Sequence, residues 1–297
     1  MNQLENSEKD NDSLTPVELK HHSGGKRLLS ILLHIYFYAI IICVLHFCRR
    51  IFITERFEIP TESMAPTLIP GDRVWVNKLV FGGRLYYSFN FEDHAPLKCF
   101  RLPGLRKIRP GDIICFNYPH GYDDNDKIEF KINYVYCKRV LGTPGDRIGA
   151  VDGHVWNDKV LRPIGLKEEQ ERLRWMFDSV FAWNKCYDVL PEAGMGWNIK
   201  NWGPLIVPAK GLTVQLDEYN RRLYRQVIEY ETNETLNTDI SEYTFKSNYY
   251  FAVGDNSMNS NDSRYWGFIP EKYIIGIVGK KVRHNPYDID LDYLYEK

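Results

Sequence analysis

From Leu28 to Cys48 the chain reads LLSILLHIYFYAIIICVLHFC, a run without Asp, Glu, Lys or Arg. As a helix rising ~1.5 Å per residue it reaches about 31 Å, close to the ~30 Å hydrocarbon thickness of a bilayer. Lys26 and Arg27 flank one end, Arg49 and Arg50 the other, and burying such cations in a protein core would be costly. A cleaved leader has a shorter apolar stretch followed by small residues, whereas here RRIFITERFEIP follows. An uncleaved anchor over residues 26–50 is therefore expected. Whatever else the chain forms is tethered within a few residues of lipid. Basic residues are balanced at the two ends, so charge alone does not set orientation.

The rest reads as a folded body. Lys and Arg total 38 against 39 Asp and Glu, so no basic excess points to nucleic acid. Residues 1–25 and 285–297 are expected to be tails, the first polar and disordered. Beyond Phe52, short apolar runs such as RVWVNKLVF, DIICFNY and INYVYCKRVL stop at IPGD, RPGD and TPGD, which reads as strands joined by tight turns. Between Leu161 and Lys246 the pattern changes. GLKEEQERLRWMFDSVF looks helical, and Leu216, Tyr219, Leu223, Val227 and Tyr230 recur at helical spacing. The expected fold is a mainly β catalytic core (51–160 and 247–284) with an inserted α+β subdomain (161–246) and one N-terminal transmembrane helix. Cys99, Cys115, Cys137 and Cys186 lie in the body without metal-ligand spacing, and their pairing is not readable from sequence.

Three blocks could carry chemistry: Thr61-Glu62-Ser63-Met64, Tyr136 to Val140, and GDNSMNSNDSRYWGFIP from Gly254 to Pro270. The last lacks the Gly and terminal Glu of a calcium loop. The histidines of the body, His94, His120, His154 and His284, sit in polar, loop-like contexts that give a serine–histidine pair little support. A serine and a lysine suffice, provided the amine is neutral. At a pKa near 10.4 only about one lysine in a thousand is neutral at pH 7, and lowering it by ~3 units takes ~4 kcal/mol, which apolar burial can supply. Lys138, among Tyr134, Val135, Tyr136, Cys137, Val140 and Leu141, has such surroundings.

Taken together the blocks resemble bacterial type I signal peptidases, membrane-bound serine–lysine peptidases. The nucleophile pattern P-S-x-S-M-x-P-T-L reads Pro60-Thr61-Glu62-Ser63-Met64-Ala65-Pro66-Thr67-Leu68; G-D-x-I reads Gly111-Asp112-Ile113-Ile114. K-R-V-x-G-x-P-G-D matches Lys138 to Asp146, and G-D-N-x-x-N-S-x-D-S-R-x-W-G matches Gly254 to Gly267. Two departures stand out: Thr61 replaces the commoner serine, and Ser257-Met258 replaces the usual Arg-Asp.

The resemblance implies Ser63 as nucleophile and Lys138 as general base. It implies an oxyanion hole from the Thr61 hydroxyl and the Ser63 N–H, Ser260 orienting the Lys138 amine, and structural roles near the site for Asp255, Asp262 and Arg264. It implies no cofactor and no metal. The partners expected are signal peptides of secreted preproteins, the lipid bilayer and the secretion translocon, with no nucleic acid. The location implied is the bacterial cytoplasmic membrane, single-pass, N-terminus inside and catalytic domain on the outer face. Phe81, Tyr86, Tyr87, Phe89 and Phe91 are expected to dip into the membrane interface. Two alternatives stand beside this reading: a self-cleaving serine–lysine regulator that shares the chemistry, disfavoured by the anchor and the lack of a DNA-binding segment, and a catalytically inactive anchored homologue that retains the fold and binds signal peptides.

Overall fold

The computed structural model describes residues 21–88, 97–120, 127–183, 185–190 and 193–282. The expected tail before residue 21, the segment after 282, and Phe89 and Phe91 lie outside these residues. The chain divides into two units, one up to Arg49 and one from Arg50 onward. The first contains α1 (His21–Cys48), which runs into a π-turn at Arg49–Ile53. The helix begins five residues before the expected boundary, because Gly24 and Gly25 do not break it. The stretch Gly25–Ile53 is long and apolar enough to cross a membrane, and none of its apolar window is buried.

The second unit is mainly β. Its principal sheet is antiparallel, in the order β1 (Thr54–Glu58), β2 (Arg73–Asn77), β16 (Ile274–Val282), β5 (Ile113–Asn117), β6 (Val135–Gly142), β14 (Tyr249–Val253) and β15 (Ile269–Pro270). β7 (Arg147–Val151), β8 (His154–Asn157) and β11 (Trp202–Ile206) form a second sheet with β7 in the middle. That sheet draws on both sides of the boundary expected at 160/161. Small ribbons pair β3 (Arg84–Tyr86) with β4 (Cys99–Arg101), β9 (Asp188–Val189) with β10 (Trp197–Asn198), and β12 (Thr213–Gln215) with β13 (Glu242–Thr244).

The helical readings fall on α2 (Lys167–Trp175), α3 (Asp178–Trp183) and α4 (Glu218–Thr232). Asp217 caps α4 by accepting from the Asn220 N–H, and Asn233 closes it in the left-handed region. Its inward stripe of Leu223, Tyr224, Val227 and Ile228 is buried with Phe245, Phe251 and Phe268 of the main core. Phe81 and Tyr86, expected at a membrane interface, instead pack against this core. Phe81 meets Tyr250 edge-on and lies under Arg101; Tyr87 is exposed.

The three Pro-Gly-Asp turns are built alike. In each, the Asp carboxylate accepts from the N–H three residues earlier: Ile69 to Asp72, Arg109 to Asp112, Thr143 to Asp146. Gly71, Gly111 and Gly145 all have φ between 82° and 95°, the value required after a proline in a type II turn. The first turn matters most for function. It closes the loop between β1 and β2, whose neck is zipped by Ile59 N–H to Asp72 O and Gly71 N–H to Ile59 O, each 2.9 Å.

Candidate active site

Ser63 lies in that closed loop, on a single 3₁₀ turn over Glu62–Met64. Met64, Leu68 and Ile59 anchor the loop in a small apolar cluster with Val74, Val76, Cys115 and Ile275. A long-range clamp reinforces it: Lys281, on β16, pairs with Asp72 at 2.7 Å and donates to the Thr67 carbonyl at 2.7 Å.

Lys138 comes from β6, opposite Ile114 of β5. Its Nζ stands 2.6 Å from Ser63 Oγ, and the two residues are 4% and 9% exposed. Burial brings the amine from an ordinary 10.5 down to about 8. The Asp262 carboxylate opposes that shift, the nearby Arg264 guanidinium adds to it, and Asp255 opposes it. The face of Tyr136 lies 5.3 Å from the same nitrogen.

Arg139, the next residue, holds the buried Asp255 carboxylate with Nε at 2.7 Å and Nη2 at 2.6 Å, and donates to Gly111 O at 2.9 Å. Thr67 Oγ1 donates to the same carboxylate at 2.5 Å. Nucleophile loop, lysine strand and the turn after β14 are thereby joined through one carboxylate. Asp262, fully buried, caps α5 (Ser263–Trp266) and is gripped by Arg264 Nε at 2.8 Å and Nη2 at 2.7 Å. Burial pushes its carboxyl up, but the Arg264 charge and the surrounding donors overcome this, and it stays below the usual range. Gly254 N–H donates to Asp262 at 2.8 Å.

Gly254 is where the nucleophile loop comes closest. A Cβ there would lie 2.1 Å from Ser260 Oγ and 2.4 Å from the Ser63 carbonyl oxygen, so no side chain fits. That carbonyl accepts from Asn256 N–H at 3.1 Å. Ser260 is buried beside it, but the hydrogen bond expected from Ser260 to the Lys138 amine is not formed in this structure. The amine is engaged with Ser63, and Ser260 Oγ has no hydrogen bond of ordinary geometry, although it lies near enough to help hold the Asp262 carboxyl down. Thr61 Oγ1 lies 3.4 Å from Ser63 Oγ. At the departure in the third block, Met258 packs against the core and the Ser257 carbonyl accepts from Arg264.

The contacts of Thr67, Arg139, Asn256 and Lys281 are not apparent in the sequence. For Arg139 a signal exists, since it adjoins Lys138 on a strand beside the block holding Asp255; the others depend on pairing distant segments. Cys115 and Cys137, whose pairing is not readable from sequence, are joined by a disulfide directly across β5 and β6, one residue before Lys138. Among the described residues no cluster of His, Cys, Asp and Glu could hold a metal.

A buried amine on a central strand of the antiparallel sheet thus meets a buried hydroxyl on the loop between β1 and β2. Residues 31–282 match the family described as signal peptidase, peptidase S26, and the chain belongs to that family. Signal peptidase I of Buchnera aphidicola subsp. Baizongia pistaciae is 30% identical over 254 residues, 82% of this chain and 73% of its own. Signal peptidase I of Rickettsia felis is 30% identical over 237 residues, covering 78% and 72%. A crystal structure of a signal peptidase I from Enterococcus faecalis covers 58% of this chain and 97% of its own, at 18% identity and a TM-score of 0.29.

Proposed function

We propose that the chain is a membrane-anchored serine endopeptidase that removes signal peptides from exported preproteins with Ser63 and Lys138. The observation that carries this reading is the 2.6 Å approach of Lys138 Nζ to Ser63 Oγ, in a family of signal peptidases. The neutral amine accepts the Ser63 proton as Oγ attacks the scissile carbonyl carbon. The resulting oxyanion accepts from the Thr61 hydroxyl and the Ser63 N–H. Lys138, now an ammonium, returns the proton to the leaving amine, and an acyl-enzyme remains. Water then gives one proton to Lys138 and its hydroxide to the acyl carbon; Oγ leaves with that proton, and the freed signal peptide departs as its carboxylate after the remaining proton passes to solvent. Ser260, buried beside Gly254, is read as the residue that orients the Lys138 amine, a bond it does not make while that amine is on Ser63.

With α1 in a bilayer, Ser63 follows Cys48 by only fifteen residues, which keeps the site near the membrane surface. The body then lies on the outer face, where an exported chain presents its cleavage point, with the bilayer and the secretion translocon as neighbours. Incubating the detergent-solubilised chain with a preprotein carrying an A-x-A site tests the proposal. A new N-terminus directly after that site, read by mass spectrometry, is expected; an intact preprotein under conditions where the chain is folded overturns it.

The hydroxyl at position 61 has its own expected signature. Thr61→Val keeps the shape and deletes the donor, so kcat should drop by about 10²–10³ with KM little changed. Thr61→Ser should retain most of the rate. Steady-state kinetics on the same preprotein reads both.

A further inference from the structure

Between β4, the turns at Lys210 and Lys246–Asn248, α4 and the segment Pro270–Lys272 lies a cavity of about 230 Å³. Arg101, Lys210, Lys246 and Lys272 line it, with Tyr230 and a single carboxylate, Glu271. That is four cations to one anion. The nearby acids are occupied by neutral donors. Glu271 accepts from Asn248 Nδ2 at 3.0 Å and Tyr250 OH at 3.4 Å. Glu231 accepts from Tyr243 OH, Tyr249 OH and the Lys246 N–H.

Among the described residues none of the four cations forms an ion pair with a carboxylate. Arg101 is spent on the carbonyls of Gly82, Glu271 and Ile274. Among the described residues Lys246 Nζ reaches only the Glu231 carbonyl, at 3.5 Å. Lys272 is half-buried, its Nζ 4.9 Å from the Tyr230 ring centre, with no carboxylate in ion-pair reach among the described residues. Burial lowers both the Lys272 amine and Arg101, the latter to about 10. The Glu231 and Glu271 carboxylates oppose these shifts without pairing with either cation, so a further anion within the cavity would stabilise both part-buried charges, and a site of this size has room for a tetrahedral oxyanion and several waters.

We propose that this cavity binds a phosphate-type oxyanion, either free or as a lipid headgroup, with Lys272 and Lys246 as its principal charge partners. The site lies apart from Ser63 and does not depend on the peptidase reading.

Calorimetric titration of the full chain in neutral detergent with inorganic phosphate, at constant ionic strength against chloride, tests binding. Saturable heat is expected for the parent and for Lys272→Arg. Losing one charged hydrogen bond is worth ~1.5–3 kcal/mol, so Lys272→Met and Lys246→Met should each weaken binding about tenfold or more. Circular dichroism confirms that each variant is folded. A second arm reconstitutes parent and Lys272→Met in phosphatidylcholine, and in equal parts phosphatidylcholine and phosphatidylglycerol. A thermal midpoint raised by phosphatidylglycerol in the parent alone assigns the site to a headgroup; phosphate binding without that dependence assigns it to the free anion. Phosphate heat identical in all variants, or no saturable heat together with no lipid dependence, overturns the proposal.

Discussion

Lys138→Met is expected to reduce preprotein cleavage by about 10³-fold or more while leaving the protein folded, since positioned proton transfer alone contributes ~10²–10⁴. The parent should show why. With its amine at about 8, kcat/KM should rise roughly tenfold per pH unit up to that value and level off above it, because only the neutral amine accepts the Ser63 proton. At pH 7 roughly a tenth of the molecules are competent. Stability runs in the same direction. The unfolded lysine titrates near 10.5 and the folded one at about 8, so between these values the unfolded state binds more protons and stability rises with pH. The full penalty, about 3 kcal/mol, is present below pH 8. Lys138→Met removes that penalty, so below pH 8 the variant should melt no lower than the parent. Loss of activity without loss of stability separates a general base from a structural lysine. A variant that cleaves normally, or a rate flat from pH 6 to 9, would contradict the assignment.

The largest stability effect is expected at Asp262. Its replacement by alanine leaves the Arg264 guanidinium, 3% exposed, without its counter-charge and removes the acceptor of the Gly254 N–H. Breaking a buried pair from one side costs about 3–5 kcal/mol, a large share of the ~5–15 kcal/mol that holds a typical domain together. Thermal unfolding of Asp262→Ala should shift accordingly. Activity should fall with it, because Gly254 abuts the Ser63 carbonyl. The double variant Asp262→Ala/Arg264→Met should recover much of the stability, since it leaves no stranded charge. Equal instability in single and double variants would place the cost in lost packing instead.

Much of this site was legible because its chemistry is carried by contiguous residues. Ser63 and Lys138 each sit in a dense block, and apolar neighbours announce the burial that lowers the amine. The N-terminal helix, long and apolar enough to cross a membrane, was legible because such a span demands length and apolarity and little else. Strand existence followed from apolar runs ending in Pro-Gly-Asp, and α4 from its spacing. Partners were not. The Cys115–Cys137 bond needs the register of β5 on β6, and a slip of one residue would turn one sulfur to the opposite face. The Lys281 clamp joins residues separated by more than two hundred positions, with no local pattern to record it. The boundary at 160/161 hid the pairing of β11 with β7 for the same reason. Ser260 shows the converse. A motif position names the residue, but its partner depends on which way a short hydroxymethyl side chain is turned.

The sheet order has a consequence in time. β16 is the last-made strand of those described, yet it lies between β2 and β5 and supplies Lys281 to the nucleophile loop. A ribosome delivers Ser63, then Lys138, and only some 140 residues after that the strand that brings their two halves of the sheet together. A growing polypeptide therefore carries both groups through some 140 residues of synthesis without the framework that joins them, and that framework arrives as a single late event rather than by degrees.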